Sequence, residues 1–319
     1  MTTHIFLDGQ FIPEAEAKVS VKTHALLYGT SLFEGIRGYW LPDTQQISIF
    51  RMREHYERLL ANCNIFHLET GYTVDELMAR TVELIERNAP STDTYIRPTI
   101  FKSGEVIGPG LDKTETSTTL WNVPLGEYLP LGKGLSVTVS NWRRLSDNTI
   151  PPRAKAGGAY MNTALIVTDA RKRGFDDAIV LTQDGTVSEG SAMNLFMVRN
   201  GVLITPAITE DILEGVTRNT IIELAQKELG LPVQERVVDR TELYVADELF
   251  FCGTGAQIAP ITSVDGRPVG PINDATHKKG EIGPLSTQLQ QLYFEVVKNK
   301  RPAYSHWCTL VNVKSAVKA

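Results

Sequence analysis

The sequence predicts two α+β domains. The chain has 319 residues, a length that fits about two domains of ordinary size. Helix-spaced and strand-like apolar runs alternate along both halves. Between the halves, residues 124–134 hold two prolines and three glycines, which break the pattern. A hydrophobic share of 42% and a charged share of 22% are those of a globular chain able to bury a core.

The first domain is expected over residues 1–123. His4 to Leu7, then Asp8-Gly9, then Phe11-Ile12, is a hairpin signal. Residues 53–65 place Tyr56, Leu59, Leu60 and Cys63 at helical spacing, and residues 73–87 do the same with Leu77, Met78, Val82 and Leu84. Residues 46–50, 94–101 and 117–123 read as strands. Residues 124–134 form the inter-domain connection. The second domain, residues 135–319, opens with a buried-type strand at 135–140, a helix at 160–172 and a strand at 177–181. Asp184-Gly185 turns the chain into strands at 194–198 and 202–204. A helix at 216–229 stops at Gly230, a residue suited to the left-handed end of a helix. Strands at 234–238 and 248–252 and a final helix at 285–297 follow. Residues 301–319 carry little periodicity and receive no element.

Several function classes are disfavoured. The net charge is -5 and the basic residues are dispersed, so no nucleic-acid footprint stands out. Cys63, Cys252 and Cys308 are odd in number and far apart, which excludes a disulfide framework and a CxxC metal knuckle; no metal site is expected. No run approaches the roughly 18 to 20 apolar residues of a membrane helix. Met1 to Phe11 carries Asp8 and no apolar signal core. The expectation is a cytoplasmic protein.

Candidate chemistry begins at Lys155, in Arg153-Ala154-Lys155-Ala156-Gly157-Gly158-Ala159-Tyr160. A lysine among small residues is uncrowded, as Schiff-base chemistry requires; taken alone it reads as a solvated lysine, as most lysines are. Glu189, in Ser188-Glu189-Gly190, enters an apolar strand and needs a positive partner there, whether structural or functional. Arg58 sits on a helix beside Leu59 and Leu60, where it either points inward to a phosphate or lies along the surface. Gly215-Val216-Thr217-Arg218 opens a helix, whose free N–H groups suit an anion. Gly253-Thr254-Gly255-Ala256 follows a strand as a turn able to form an anion nest. Neither matches a dinucleotide or P-loop glycine pattern. Tyr95 and Arg97 share one face of a strand by alternation, a pair that suits a carboxylate and also suits a structural role.

Taken in order, these segments resemble the branched-chain amino-acid aminotransferases of fold-type IV. The run from His24 through Tyr28-Gly29-Thr30-Ser31-Leu32-Phe33-Glu34-Gly35-Ile36-Arg37 looks like the family's N-terminal signature. The Arg53-Glu54-His55 stretch ending at Leu59 looks like its phosphate-binding helix. Tyr95-Ile96-Arg97-Pro98, Lys155-Ala156-Gly157-Gly158, Ser188-Glu189-Gly190, Gly215-Val216-Thr217-Arg218 and Gly253-Thr254-Gly255-Ala256 follow in the family's order.

The resemblance spans about residues 5–297. It implies a two-domain, D-amino-acid aminotransferase-like fold with pyridoxal 5'-phosphate (PLP) in the inter-domain cleft, and at least a homodimer. It assigns Lys155 to covalent attachment of PLP and to proton transfer, Glu189 to the ring nitrogen and Tyr160 to the phenolic oxygen. Arg58, Val216, Thr217, Gly253 and Thr254 would hold the phosphate. Tyr95 and the turn Thr254-Gly255-Ala256 would take the substrate α-carboxylate, and Arg97 the distal carboxylate of glutamate or 2-oxoglutarate. Tyr28, Phe33, Leu125, Tyr128 and Tyr160 would line the side-chain pocket. The implied reaction is transamination of leucine, isoleucine or valine with 2-oxoglutarate.

There are departures: Leu125 stands where many relatives carry tryptophan, and Ala159, Gly255 and Gln257 also differ from common residues. They leave the side-chain preference open, toward aromatic or amine substrates as well; the same-fold alternatives, a D-amino-acid aminotransferase and an aminodeoxychorismate lyase, are disfavoured by the Tyr95–Arg97 pair and the run from Tyr28 to Arg37. A scaffold that kept the fold without PLP is disfavoured by the joint presence of Lys155 and Glu189.

Overall fold

A computed structural model describes residues 3–127, 129, 132–271 and 278–313. It divides the chain into two compact units. The first holds the chain up to Gly126, Ala154–Gly158, and the chain from Glu295 onward; the second holds Glu127–Arg153 and Ala159–Phe294. The first break falls after Gly126, and the segment around Lys155 and the C-terminal end belong with the first unit.

The first unit is built on an antiparallel sheet. Its elements are β1 (His4–Leu7), β2 (Gln10–Pro13), α1 (His24–Tyr28), β3 (Ser31–Phe33), β4 (Ile36–Leu41), β5 (Gln46–Phe50), α2 (Met52–Ile65), α3 (Val74–Asn88), β6 (Thr94–Lys102) and β7 (Thr116–Pro124). A C-terminal strand, Cys308–Asn312, pairs antiparallel with β5, so the tail that shows no periodicity becomes an edge of this sheet. From that edge the order is β5, β4, β6, β7, β1, β2, with β3 pairing β6 off the path. The β1–β2 hairpin forms as expected, with Asp8 and Gly9 both at positive φ.

The helices follow from their sequences. α3 starts at a capping box in which Thr73 and Glu76 satisfy each other's backbone N–H. It buries Leu77, Thr81, Leu84 and Ile85. α2 buries Met52, Tyr56, Leu59 and Cys63, one stripe at helical spacing. His55 and Asn62 belong to the same buried side, and Arg58 at its edge is half-buried.

The second unit carries a mixed sheet: β8 (Leu135–Arg143), β9 (Asp177–Leu181), β10 (Val187–Gly190), β11 (Asn194–Arg199), β12 (Val202–Pro206), β13 (Val233–Arg236), β14 (Glu248–Gly253), β15 (Gln257–Val264) and β16 (Arg267–Pro268). The order is β10, β9, β8, β15, β14, β11, β12, β13, with β16 on β15. Strands β9, β11 and β14 are buried along nearly their whole length, which is why they read as continuous apolar runs. Helix α4 (Tyr160–Lys172) sets Ile166 and Ala170 against Ala178 and Val180 of β9. Helix α5 (Val216–Leu229) ends at Gly230 in the left-handed conformation, as expected. Helix α6 (Pro284–Val297) begins on Glu248, whose carboxylate accepts from the N–H groups of Leu285 and Ser286 at 2.9 and 2.7 Å. No helix among the described residues is long and apolar enough to cross a membrane.

Candidate active site

Within the first unit, Lys155 is stitched into place by its backbone. Its carbonyl accepts from Phe33 N–H at 3.1 Å, and Ala156 forms a bridge with Leu32 of β3. Ala154 and Ala156 are buried on either side, so the lysine is flanked by methyl groups. Gly158 donates to the Gly29 carbonyl at 3.0 Å. This approach needs glycine: a Cβ on Gly29, which has φ +71°, would stand 2.8 Å from Gly158 Cα. The Lys155 ammonium end lies 5.1 Å from the centre of the Phe33 ring.

Arg58 points inward, as one of the two sequence readings requires. Its Nε and Nη2 each donate to Glu34 at 2.7 Å, in a two-point pair. His55, one turn earlier on α2, donates from Nδ1 to the same carboxylate at 2.8 Å. Glu34 is fully buried. Burial alone would push its carboxyl up, but Arg58 and His55 outweigh that and hold it well below the usual carboxylate range. His55 behaves in the opposite sense: burial lowers it more than Glu34 raises it, so it stands as a neutral donor. In the sequence, Glu34 and His55 are visible only as members of motifs and carry no assigned role.

Strand β6 sets Tyr95 and Arg97 on one half-exposed face, as alternation predicts. Arg97 donates from Nε and Nη2 to the Tyr95 hydroxyl at 3.0 and 2.7 Å. Its guanidinium lies 4.1 Å from the Phe33 ring centre. Leu125 is half-buried, and its carbonyl accepts from Arg37 at 3.1 Å. Tyr28 ends the short helix α1; its hydroxyl accepts from Gly108 N–H at 3.0 Å. Tyr128 lies outside the described residues.

Within the second unit, Glu189 on β10 is buried and held as an anion. Arg144 reaches it at 2.6 Å, Asn194 Nδ2 at 2.8 Å and Leu213 N–H at 3.2 Å. The positive partner that a buried carboxylate demands is therefore Arg144, which follows β8 and belongs to no motif. Asn194 also donates to the Leu213 carbonyl. A Cβ on Gly215 would stand 2.0 Å from Asn194 Oδ1, so glycine at the start of α5 makes room for the amide that holds Glu189.

No side chain caps α5, and Val216 and Thr217 are buried in its first turn. That uncapped end suits a phosphate. Arg218 of the same motif does not join it: the side chain is buried and donates to Glu235 at 2.6 Å and the Pro206 carbonyl at 3.0 Å. Gly253 closes β14, and Thr254-Gly255-Ala256 makes the turn into β15, where Gln257 has φ +57°. Tyr160 begins α4.

Comparison with known proteins bears on this arrangement. The amino-transferase class IV family matches residues 31–264. A probable branched-chain-amino-acid aminotransferase of Aquifex aeolicus is 42% identical over 306 residues, 96% of each chain. The crystal structure of the branched-chain aminotransferase of Thermoproteus uzoniensis with norvaline is 39% identical, with a TM-score of 0.90 over 97% of this chain and 99% of that one. The branched-chain amino acid aminotransferase of Thermobaculum terrenum in its PLP form is 36% identical, with a TM-score of 0.90 over 97% and 98% of the two chains. With a matching fold and likeness along nearly its full length, this chain belongs to the class IV amino-transferases.

Proposed function

We propose that this chain is a PLP-dependent aminotransferase that moves the amino group of L-leucine, L-isoleucine or L-valine to 2-oxoglutarate, giving branched-chain 2-oxo acids and L-glutamate. The observation that carries the reading is the setting of Lys155, flanked by buried alanines and tied by its own backbone to Phe33 and by that of Ala156 to Leu32. The residues present fit PLP. In the first unit Lys155 suits the aldehyde and Arg58 an anion; in the second unit Glu189 suits the ring nitrogen and the uncapped start of α5 a phosphate.

Bound PLP supplies a ring that takes up electron density from the substrate Cα and a carbon that carries the amino group. The chain's own residues do the rest. Lys155 Nζ removes the proton from the substrate Cα and returns it on the other side of the transfer. Glu189, kept anionic by Arg144 and Asn194, holds the proton on the ring nitrogen. Tyr160 would donate to the phenolic oxygen, and Val216, Thr217, Gly253 and Thr254 would hold the phosphate. Tyr95 and the turn Thr254-Gly255-Ala256 bind the α-carboxylate. Arg97 meets the distal carboxylate of glutamate, and Tyr28, Phe33 and Leu125 face the aliphatic side chain; Tyr128, expected beside them, lies outside the described residues.

The chain works as a homodimer. Leu26, Leu27 and Ile107 are exposed, and Gly108 is tied to α1 by His24 and Tyr28, which brings these apolar groups to one region. It works in the cytoplasm, where its three free thiols stay reduced.

The test is the visible spectrum of the purified protein. A yellow band that bleaches with L-leucine and returns with 2-oxoglutarate is expected, and Lys155→Ala abolishes the cycle. A band that ignores L-leucine and answers D-alanine moves the substrate; full turnover by Lys155→Ala ends the assignment.

A further inference from the structure

Arg97 is held in a way its motif does not reveal. Its guanidinium carbon lies 4.1 Å from the centre of the Phe33 ring, 5.1 Å from that of Tyr95 and 5.6 Å from that of Trp121. Trp121 sits on β7 directly opposite Arg97 in the antiparallel register. Cross-strand partners of this kind are close neighbours on one face of a sheet. The Trp121 and Tyr95 rings meet edge to face, 6.4 Å apart and inclined at 62°. Glycine at position 35 leaves space for the phenol, since a Cβ there would stand 2.5 Å from the Tyr95 oxygen. Phe33, Tyr95 and Trp121 thus form an aromatic box around one cation.

We propose that Trp121 is a positioning residue for the dicarboxylic partner: the aromatic box that it completes holds the Arg97 guanidinium ready for a distal carboxylate. This rests on the reading of Arg97 given above. An unrestrained arginine has several rotatable bonds and loses that freedom on meeting an anion. Here the Nε–Nη2 edge is already fixed on the Tyr95 hydroxyl, and the plane is fixed by rings. Indole is the strongest of the aromatic partners for a cation. Its loss frees the guanidinium to turn, and the penalty falls on ligands that carry a second carboxylate. Aliphatic ligands make no use of the charge and feel only a change of shape.

The experiment compares wild type, Trp121→Phe, Trp121→Ala and Arg97→Ala as PLP-loaded proteins. Binding of glutarate and of 4-methylpentanoate is titrated through the visible band, and KM is measured for 2-oxoglutarate and for 4-methyl-2-oxopentanoate. Trp121→Ala should weaken glutarate and raise KM for 2-oxoglutarate by about fivefold, with less than about twofold change for the aliphatic pair. Trp121→Phe, which keeps a ring, should recover most of the loss. Equal shifts for both ligand classes, or no shift, overturn the proposal. Arg97→Ala separates the two layers: if it is selective while Trp121→Ala is not, only the role of Trp121 falls. If Arg97→Ala is itself unselective, the reading of Arg97 falls and the inference with it.

Discussion

Arg58 is bound to Glu34 at two points, Nε to Oε1 and Nη2 to Oε2, each at 2.7 Å, and the carboxylate is fully buried. A buried acid beside a proposed phosphate ligand is at first sight an odd choice, because it cancels the charge that attracts the anion. Its value lies in direction. A two-point pair fixes the plane of a guanidinium as a lone hydrogen bond cannot.

Glu34→Gln keeps the shape and removes the charge. It should lower PLP affinity by about tenfold, equivalent to about 1.4 kcal/mol. Equilibrium dialysis of the apoprotein against PLP measures this. A lower melting temperature with unchanged affinity would mean that Glu34 supports the fold and does not aim Arg58.

The same cluster predicts how stability depends on pH. His55 is lowered from its ordinary value of 6.5 because burial outweighs the pull of Glu34. The unfolded chain then binds a proton that the folded chain refuses, so stability is fully present above pH 6.5 and declines as pH falls below it. Glu34 is also lowered, so the stability it contributes persists until about pH 4 and is lost in stronger acid. Urea unfolding of wild type should therefore weaken in two stages. His55→Gln, which retains a donor toward Glu34, should remove the first stage and leave the second. An unchanged slope between about pH 6.5 and 5 would place the first titration elsewhere.

Local signals are the legible ones. The capping box of Thr73 and Glu76, the glycine stop at Gly230 and the even burial of β9 can each be read from a few consecutive residues. Strands β4 and β15 escape a reading of the sequence because Arg37 and Gly38 in one, and Gln257 and Pro260 in the other, interrupt the apolar run that marks a buried strand. The Cys308–Asn312 strand escapes it because its partner, β5, lies far back in the chain, and a single edge strand carries no period of its own. In the site, Lys155 and Glu189 stand out by their small or apolar neighbours. Glu34, Asn194 and Arg144 do not, since their importance comes from partners that folding brings to them, Arg58 for the first and Glu189 for the other two. Arg218 shows the reverse case: it stands in a binding motif and is committed to Glu235.

Arg144 offers the sharpest test of Glu189. Its Nη2 lies 2.6 Å from a carboxylate that is 2% exposed, and its Nε donates to the Asp211 carbonyl at 3.3 Å. Arg144→Met removes the charge and keeps much of the stem. A buried carboxylate left without its cation is costly, about 3–5 kcal/mol where one partner of such a pair is deleted. The apoprotein should therefore melt well below wild type. If Glu189 meets the PLP ring nitrogen, the protonated ring replaces part of the lost positive charge. Cofactor binding should then raise the melting temperature of Arg144→Met by more than it raises that of wild type. Scanning calorimetry of both proteins, with and without PLP, measures the difference. Equal increments in the two proteins would show that Glu189 does not face the ring nitrogen, and the carboxylate would be left as a structural anion of the second unit.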